Sequence, residues 1–371
     1  MAEFISVSPS GRYAAVGEDL QLWDLTECAA IRRLAPDKAS VLSTFLVEQK
    51  KEWVASLHYP EYASTEKTYI PYVTSGTVRL LSASGEMKAS GTLKPPEGVG
   101  AFHLYDMHSC VSSGTIIVLT MWQPGPPRQV MPPSTYMLYQ FRHGKNSKAH
   151  VSMVKHACRG FPGAASLAMS SDGTIAVIDD CSQQIAVETE SGTVRWTQRR
   201  RVSDAECLGR AIVQWETLLG GNEVIVTVTE DINVIYGKGI VWDAKEVANG
   251  RDVSFDTDVI KRHIPLMATT HACVDPRKPF LYCAGGSSWS PAITIVDVEH
   301  RVVIREILIL PLLNAEERAE FDKLNVQRVD EGIYPVTSLS CSEMCNVCAV
   351  KLSGVDEIVV VDTNTGERVC P

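Results

Sequence analysis

The chain has 371 residues, 45% hydrophobic and 21% charged, enough apolar material for a large core and too few charges for a disordered tail. Thirty-five Lys and Arg against 44 Asp and Glu leave a net charge of −9, which disfavours nucleic acid as a direct partner. The longest apolar run, Val302 to Leu313, is broken by Arg305, Glu306 and Pro311, so no membrane span is expected, and the opening Met-Ala-Glu-Phe-Ile-Ser predicts no signal peptide.

From the N-terminus, Phe4 to Ser8 alternates, Pro9-Ser10-Gly11 turns, and Tyr13 to Val16, Leu20 to Leu25 and Cys28 to Leu34 follow as short strands. Two looser copies of this pattern fill residues 40 to 93 and 101 to 155. Leu167 to Ser170, the turn Ser171-Asp172-Gly173, Thr174 to Ile178 and Ile185 to Thr189 repeat it, closed by Ser191-Gly192 and Thr193 to Trp196. Val224 to Thr229, Gly239 to Asp243 and Asp252 to Phe255 make a fifth unit. His271 to Asp275, Phe280 to Ala284, Ile293 to Val298 and Val302 to Ile307 make a sixth. The last has Leu339 to Ser342, Val347 to Leu352, Ile358 to Thr363, a turn at Asn364-Thr365-Gly366, and Glu367 to Cys370.

The third strands end at Asp24, Ala83, Gln140, Thr189, Asp243, Asp297 and Asp362, at intervals of 49 to 65 residues. Seven units, 1–37, 38–95, 96–158, 159–207, 208–262, 263–330 and 331–371, exhaust the chain. Four strands per unit at this spacing predict an all-β fold, a single seven-bladed β-propeller of four-stranded antiparallel blades. Asn314 to Arg328 interrupts the pattern and reads as a short helical insertion, with Asn314 as cap and Glu317 closing a capping box. Both chain ends complete their own units, so the first and last blades are expected to meet by face packing alone.

Trp23-Asp24 and Trp242-Asp243 end third strands, Val296-Asp297 and Val361-Asp362 stand at the equivalent place, and Ser8-Pro9-Ser10-Gly11 and Ser170-Ser171-Asp172-Gly173 form first-to-second strand turns. On these residues the chain resembles a divergent WD40-type propeller. The resemblance implies a non-catalytic platform for protein partners, a subunit of a larger intracellular assembly that needs no cofactor. The competing reading is a lactonase- or quinoprotein-like propeller enzyme with a metal or cofactor in the central channel. That chemistry needs carboxylates or histidines from several blades aimed at the axis. The inner-strand positions Ser6, Ser8, Leu167, Met169, Ser340 and Ser342 are instead small or apolar, which favours the platform.

Eleven cysteines, an odd number set singly in apolar runs such as Tyr282-Cys283-Ala284, predict buried thiols in a reducing compartment. The spacing Cys341-x3-Cys345-x2-Cys348 resembles that of radical S-adenosylmethionine enzymes. The repeat, however, places these cysteines on a first strand, a turn and a second strand of an ordinary blade. His271, Cys273 and Asp275 alternate on one strand, as zinc ligands could, but the same alignment makes Asp275-Pro276 a turn entry. His103, Asp106 and His108 form a similar loose set, and Asp179-Asp180 reads as a solvated turn. Gly237-Lys238-Gly239 lacks the flanking residues of a phosphate loop. No metal, cofactor or catalytic residue is therefore expected.

Partner contacts are sought where the repeat is interrupted. Gln123 to Ser134 carries five prolines in twelve residues, a stiff loop that would offer Trp122 and Arg128. Arg199, Arg200 and Arg201 form the one basic triplet of an acidic chain, suited to bidentate carboxylate or phosphate contacts. Glu317 and Arg318 in the inserted helix complete the candidate set.

Overall fold

The computed structural model describes residues 4–17, 19–34, 40–48, 51–58, 72–73, 75–95, 97, 102–110, 114–122, 134–142, 150–158, 166–179, 183–199, 211–217, 223–229, 238–248, 271–275, 278–287, 290–300, 302–328, 335–342 and 346–369. Strands β1 (Ile5–Val7), β2 (Tyr13–Val16), β3 (Gln21–Asp24) and β4 (Ala29–Arg33) form the first sheet. Strands β5 (Ser40–Glu48), β6 (Lys51–His58), β8 (Gly76–Ser82) and β9 (Met87–Leu93) form the second. The third has β10 (Phe102–Cys110), β11 (Thr115–Trp122), β12 (Ser134–Arg142) and β13 (His150–Cys158), with β7 (Tyr72–Val73) added beside β10. The fourth has β14 (Ser166–Met169), β15 (Ile175–Asp179), β16 (Gln183–Glu188) and β17 (Val194–Arg199). Strands β18 (Ala211–Thr217), β19 (Glu223–Thr229) and β20 (Lys238–Asp243) form the fifth, followed by the short helix α1 (Ala244–Ala248). The sixth has β21 (His271–Asp275), β22 (Phe280–Ser287), β23 (Ser290–Asp297) and β24 (Val302–Leu308). After a 3-10 turn at Leu310–Leu312 and helix α2 (Ala315–Arg328), strands β25 (Val336–Cys341), β26 (Val347–Leu352) and β27 (Ile358–Asp362) form the seventh.

Every pairing is antiparallel, and first strands neighbour one another in sequence order, from β1 through β5, β10, β14, β18 and β21 to β25 and back to β1. This is a β-propeller. Six sheets reach their outer position. Five do so with a fourth strand, and the seventh with the bridge Val361–Arg368. The fifth sheet has three strands among the described residues, and the expected strand Asp252 to Phe255 lies outside them. Among the described residues the fold is thus a propeller with six blades complete to the outer edge, not the seven expected.

The repeat has a local cause. In the first sheet the Ser8 N–H donates to the Tyr13 carbonyl (2.8 Å), the Ser8 hydroxyl accepts the Tyr13 N–H (3.1 Å), and Gly11 turns the chain at φ 71°. Ser170, Ile175 and Gly173 (φ 75°) reproduce this arrangement in the fourth. The aspartate ending the third strand then holds the next turn. Asp24 accepts the N–H of Thr26 (2.9 Å), Asp297 that of His300 (2.9 Å) and Asp362 that of Asn364 (2.7 Å). Burial works against the Asp24 carboxylate, but bonds from the Thr26 hydroxyl and N–H outweigh it and lower its pKa.

Ring closure departs from face packing alone. Apolar side chains do meet there, with Ile5, Val7, Ala14 and Val16 against Ala349, Ile358 and Val360. Beside them, Ser338 Oγ accepts the N–H of Ile5 (3.0 Å), Ser340 Oγ accepts that of Val7 (2.9 Å), and the Ser342 hydroxyl donates to the Pro9 carbonyl (2.8 Å). A side chain at every second residue of β25 thus serves the edge of β1 that faces away from β2. The double variant Ser338→Ala/Ser340→Ala should lose about 1–3 kcal/mol for each orphaned donor in urea unfolding. Amide exchange should quicken first at Ile5 and Val7. Unchanged exchange at both would show that apolar packing alone closes the ring.

Candidate functional site

The insertion α2 begins with a reciprocal cap. Asn314 Oδ1 accepts the N–H groups of Glu316 (3.0 Å) and Glu317 (2.9 Å), and Glu317 Oε2 accepts the N–H of Asn314 (2.8 Å). The same carboxylate receives both ends of the Arg368 guanidinium, Nη1 to Oε2 at 2.6 Å and Nη2 to Oε1 at 2.7 Å. Both side chains are nearly closed to solvent, 10% exposed for Arg368 and 5% for Glu317. Arg368 holds the Glu317 carboxyl below its ordinary pKa, against the opposing effect of burial. Glu317, expected to face a partner, therefore has an internal one. At the third helical position its carboxylate turns back to the cap and to the chain end. Phe321, one turn on, is buried with Ile307 and Ile309. Arg318 remains exposed and pairs with Asp322 at 3.0 Å.

Just before this helix, β24 is the outer strand of the sixth sheet and, among the described residues, pairs with β23 alone. It exposes Val302 (48%), Val303 (36%), Ile304 (47%) and Leu308 (47%), while Ile307 is buried. The register slips so that Ile304 falls between the pairs Ile295–Arg305 and Val296–Val303. The register skips one residue in the same way at Ile31 on β4, Lys88 on β9 and Arg195 on β17. Outer strands here are bulged as a rule, which spoils a straight edge for strand addition. Partner contacts are expected where the repeat is interrupted, and β24, the regular fourth strand of its unit, is no such interruption. The signal available was that place as fourth strand, where the inward side has little left to pack against.

The cysteines give the largest correction. Cys341 and Cys348 face each other across β25 and β26, with Cα atoms 4.2 Å apart, and form a disulfide. Cys28 is disulfide-bonded as well, its Sγ 3.9 Å from the carbonyl oxygen of Val369. These three are not the reduced core thiols expected, and the cysteine argument for a reducing compartment loses its basis. Cross-strand pairing brings two sulfurs together irrespective of their spacing along the chain. Cys273 on β21 joins them, its Sγ 2.9 Å from that of Cys341, and all three sulfurs lie within 4.8 Å of one another. His271 and Asp275 share the strand with Cys273 but stand outside this cluster. Cys283 is fully enclosed in the sixth sheet, where burial pushes its thiol pKa up.

Of the other candidates, Asp106 accepts the N–H groups of Met107 and Leu167 at 2.9 Å each, so it joins the third and fourth sheets and is not set up as a ligand. Asp179 is completely buried and accepts a bond from Gln184 (2.6 Å), which corrects the solvated-turn reading. Asp180 lies outside the described residues. Arg199 ends β17 and Trp122 ends β11, with side chains outside the described part of the structure. Arg128, Arg200, Arg201 and the proline-rich loop lie outside the described residues.

The buried pair has a pH signature. Arg368→Met should cost about 3–5 kcal/mol, since it leaves the Glu317 carboxylate buried without its charge partner. The Glu317 pKa in the folded chain lies below 4.5. Its contribution is therefore complete above pH 4.5 and is lost as pH falls through the lower, folded value. Urea unfolding between pH 7 and pH 3 should show a steeper acid loss for the parent than for Glu317→Gln. Parallel curves would remove the pair from the acid response.

No family model matches the chain, and no curated protein matches it. Solved structures do. The β-propeller domain of Myceliophteria thermophila Cps50 (Swd1) superposes with a TM-score of 0.55 at 9% identity, covering 97% of this chain and 96% of that one. Kuenenia stuttgartiensis hydrazine synthase gives 0.55 at 12% identity over 97% and 95%. Dihydro-heme d1 dehydrogenase NirN in complex with DHE gives 0.50 at 14% identity, covering 98% of this chain and 64% of that one. At such identities the likeness is one of fold, and the fold is the β-propeller.

Proposed function

We infer that this propeller is a non-catalytic interaction platform, a subunit that docks other proteins on its outer rim. The observation that carries the reading is β24, an outermost strand with Val302, Val303, Ile304 and Leu308 in water. Single exposed apolar residues are ordinary on a protein surface, but four within seven residues of one outer strand concentrate apolar surface at that edge. Folding gains nothing from side chains that stay exposed, so burial by a partner is the favourable outcome. The bulge at Ile304 disfavours strand addition, and the partner docks on side chains instead. Helix α2 follows directly and offers Arg318 beside this surface in sequence, a charged contact of the kind that borders apolar interface cores. The triplet Arg199, Arg200 and Arg201 is a second docking element, chosen from its charge alone.

Affinity purification with the full chain tests this. Val302→Lys/Ile304→Lys should lose the proteins recovered by the parent while the melting temperature stays nearly constant, because both side chains are already exposed. Changing the arginine triplet to glutamate should weaken recovery in the same way, and Glu316→Ala, on the solvent side of α2, should not. Undiminished recovery from both charge variants, or stoichiometric metal or cofactor in the purified protein, would overturn the platform reading.

A further inference from the structure

We propose that Cys273, Cys341 and Cys348 form a thiol–disulfide exchange site, in which one covalent link moves between a place inside the seventh sheet and a place joining the sixth sheet to the seventh. This stands apart from the docking surface on β24. In the state described, the link crosses the pair β25–β26 as Cys341–Cys348, and Cys273 Sγ on β21 stands 2.9 Å from Cys341 Sγ. Exchange requires a third sulfur within reach of one sulfur of a disulfide, and all three here lie within 4.8 Å. The Cys273 thiol loses its proton and attacks Cys341 Sγ. A Cys273–Cys341 bond forms, the Cys341–Cys348 bond breaks, and its electron pair leaves on Cys348 as thiolate, which takes up a proton. The three sulfurs hold the same number of electrons before and after, so no outside oxidant is consumed.

Position separates these cysteines from the others of the core. Cys273 and Cys341 are half-buried, whereas Cys348 and Cys283 are closed to solvent. The two links do different things. Cys341–Cys348 ties residues that already face each other in a hydrogen-bonded ladder, only seven positions apart. Cys273–Cys341 would tie residues 68 positions apart, across two sheets that share no backbone ladder. The second therefore restrains far more of the chain, and moving the link sets whether the sixth and seventh sheets are covalently clamped.

Peptide mapping decides it. In a full-length Cys345→Ser background the protein is equilibrated in a glutathione redox buffer, quenched in acid, alkylated with N-ethylmaleimide and digested with trypsin without reduction. Residues 263–277 carry Cys273 and residues 329–351 carry Cys341 and Cys348, so the two peptides stay joined only when Cys273 is linked. The joined species should be present beside the internal Cys341–Cys348 species. Cys348→Ser should raise it by about tenfold while Cys273 loses its alkyl label, because the competing link is gone. Cys348→Ala replaces the serine variant if that fails to fold, and Cys273→Ser should abolish the joined species. Full labelling of Cys273 in the background and in the Cys348 variants would overturn the proposal. So would a reduced protein that retains zinc through gel filtration and resists oxidation, which would make the cluster a metal site.

Discussion

A closed ring of sheets leaves the first strand of each, β10 with its neighbour β7 excepted, with an edge that no other described strand pairs, and the N–H groups on that edge need acceptors. β1 is bonded to β2 on one side only, and on the other the N–H groups of Ile5 and Val7 end on Ser338 and Ser340. A missing acceptor at such a buried donor costs more than the bond itself returns, so the identity of the side chains on the neighbouring first strand is constrained. Asp106 repeats this solution by accepting the Leu167 N–H (2.9 Å), and the hydroxyl pairs Ser6–Ser43 (2.9 Å) and Thr44–Ser109 (2.8 Å) join other first strands side chain to side chain. These short polar residues are engaged in holding sheet to sheet.

Away from the axis, the sheets are clasped by side chains that repeat in space more faithfully than in sequence. The turn after the first strand reaches the start of the second strand in the next sheet, as Ser10 to Glu52, Ser171 to Glu223 and Lys278 to Asn346. Farther out, Arg32 on β4 donates to the Ser84 carbonyl, and Arg305 on β24 donates to that of Asn364. Each arginine directly follows the bulge residue, Ile31 or Ile304, and each reaches a turn holding a glycine of positive φ, Gly85 (82°) or Gly366 (79°). The bulge therefore has two effects. It aims an arginine at the neighbouring sheet and turns an isoleucine toward solvent.

Much of this was legible in the sequence where a local rule decided the structure. Ser8, Gly11, Ser170 and Gly173 specify hairpins through their own hydrogen bonds and backbone freedom. The aspartates at third-strand ends specify the next turn, and Asn314 with Glu317 specifies the start of α2. What could not be read depended on pairing across long separations. Cys273 meets Cys341 only because β21 and β25 are neighbours, Arg368 meets Glu317 only because the chain end folds back along β27, and β7 leaves the span of the second sheet to pair with β10. The exposure of β24 belongs to the same class, because its place in the sheet decides it.

The seventh sheet shows how such long-range pairs substitute for regular structure. Its outer position is a single bridge at Arg368, supported by the Val369 N–H on the Val360 carbonyl (2.8 Å) and the Asp362 N–H on the Glu367 carbonyl (2.9 Å). So short an edge has little ladder of its own. Helix α2 supplies what the ladder lacks, because Arg368 is held by Glu317 on both guanidinium ends and by the Leu312 carbonyl (3.1 Å). On the opposite flank, the serines of β25 hold β1, and on the near flank Cys341 stands against Cys273. The sheet that closes the ring is therefore fixed from three sides by side chains. Of these fixings the cysteine contact alone can change its covalent state, which makes the sixth-to-seventh junction the place where the ring's rigidity can be altered without unfolding any strand.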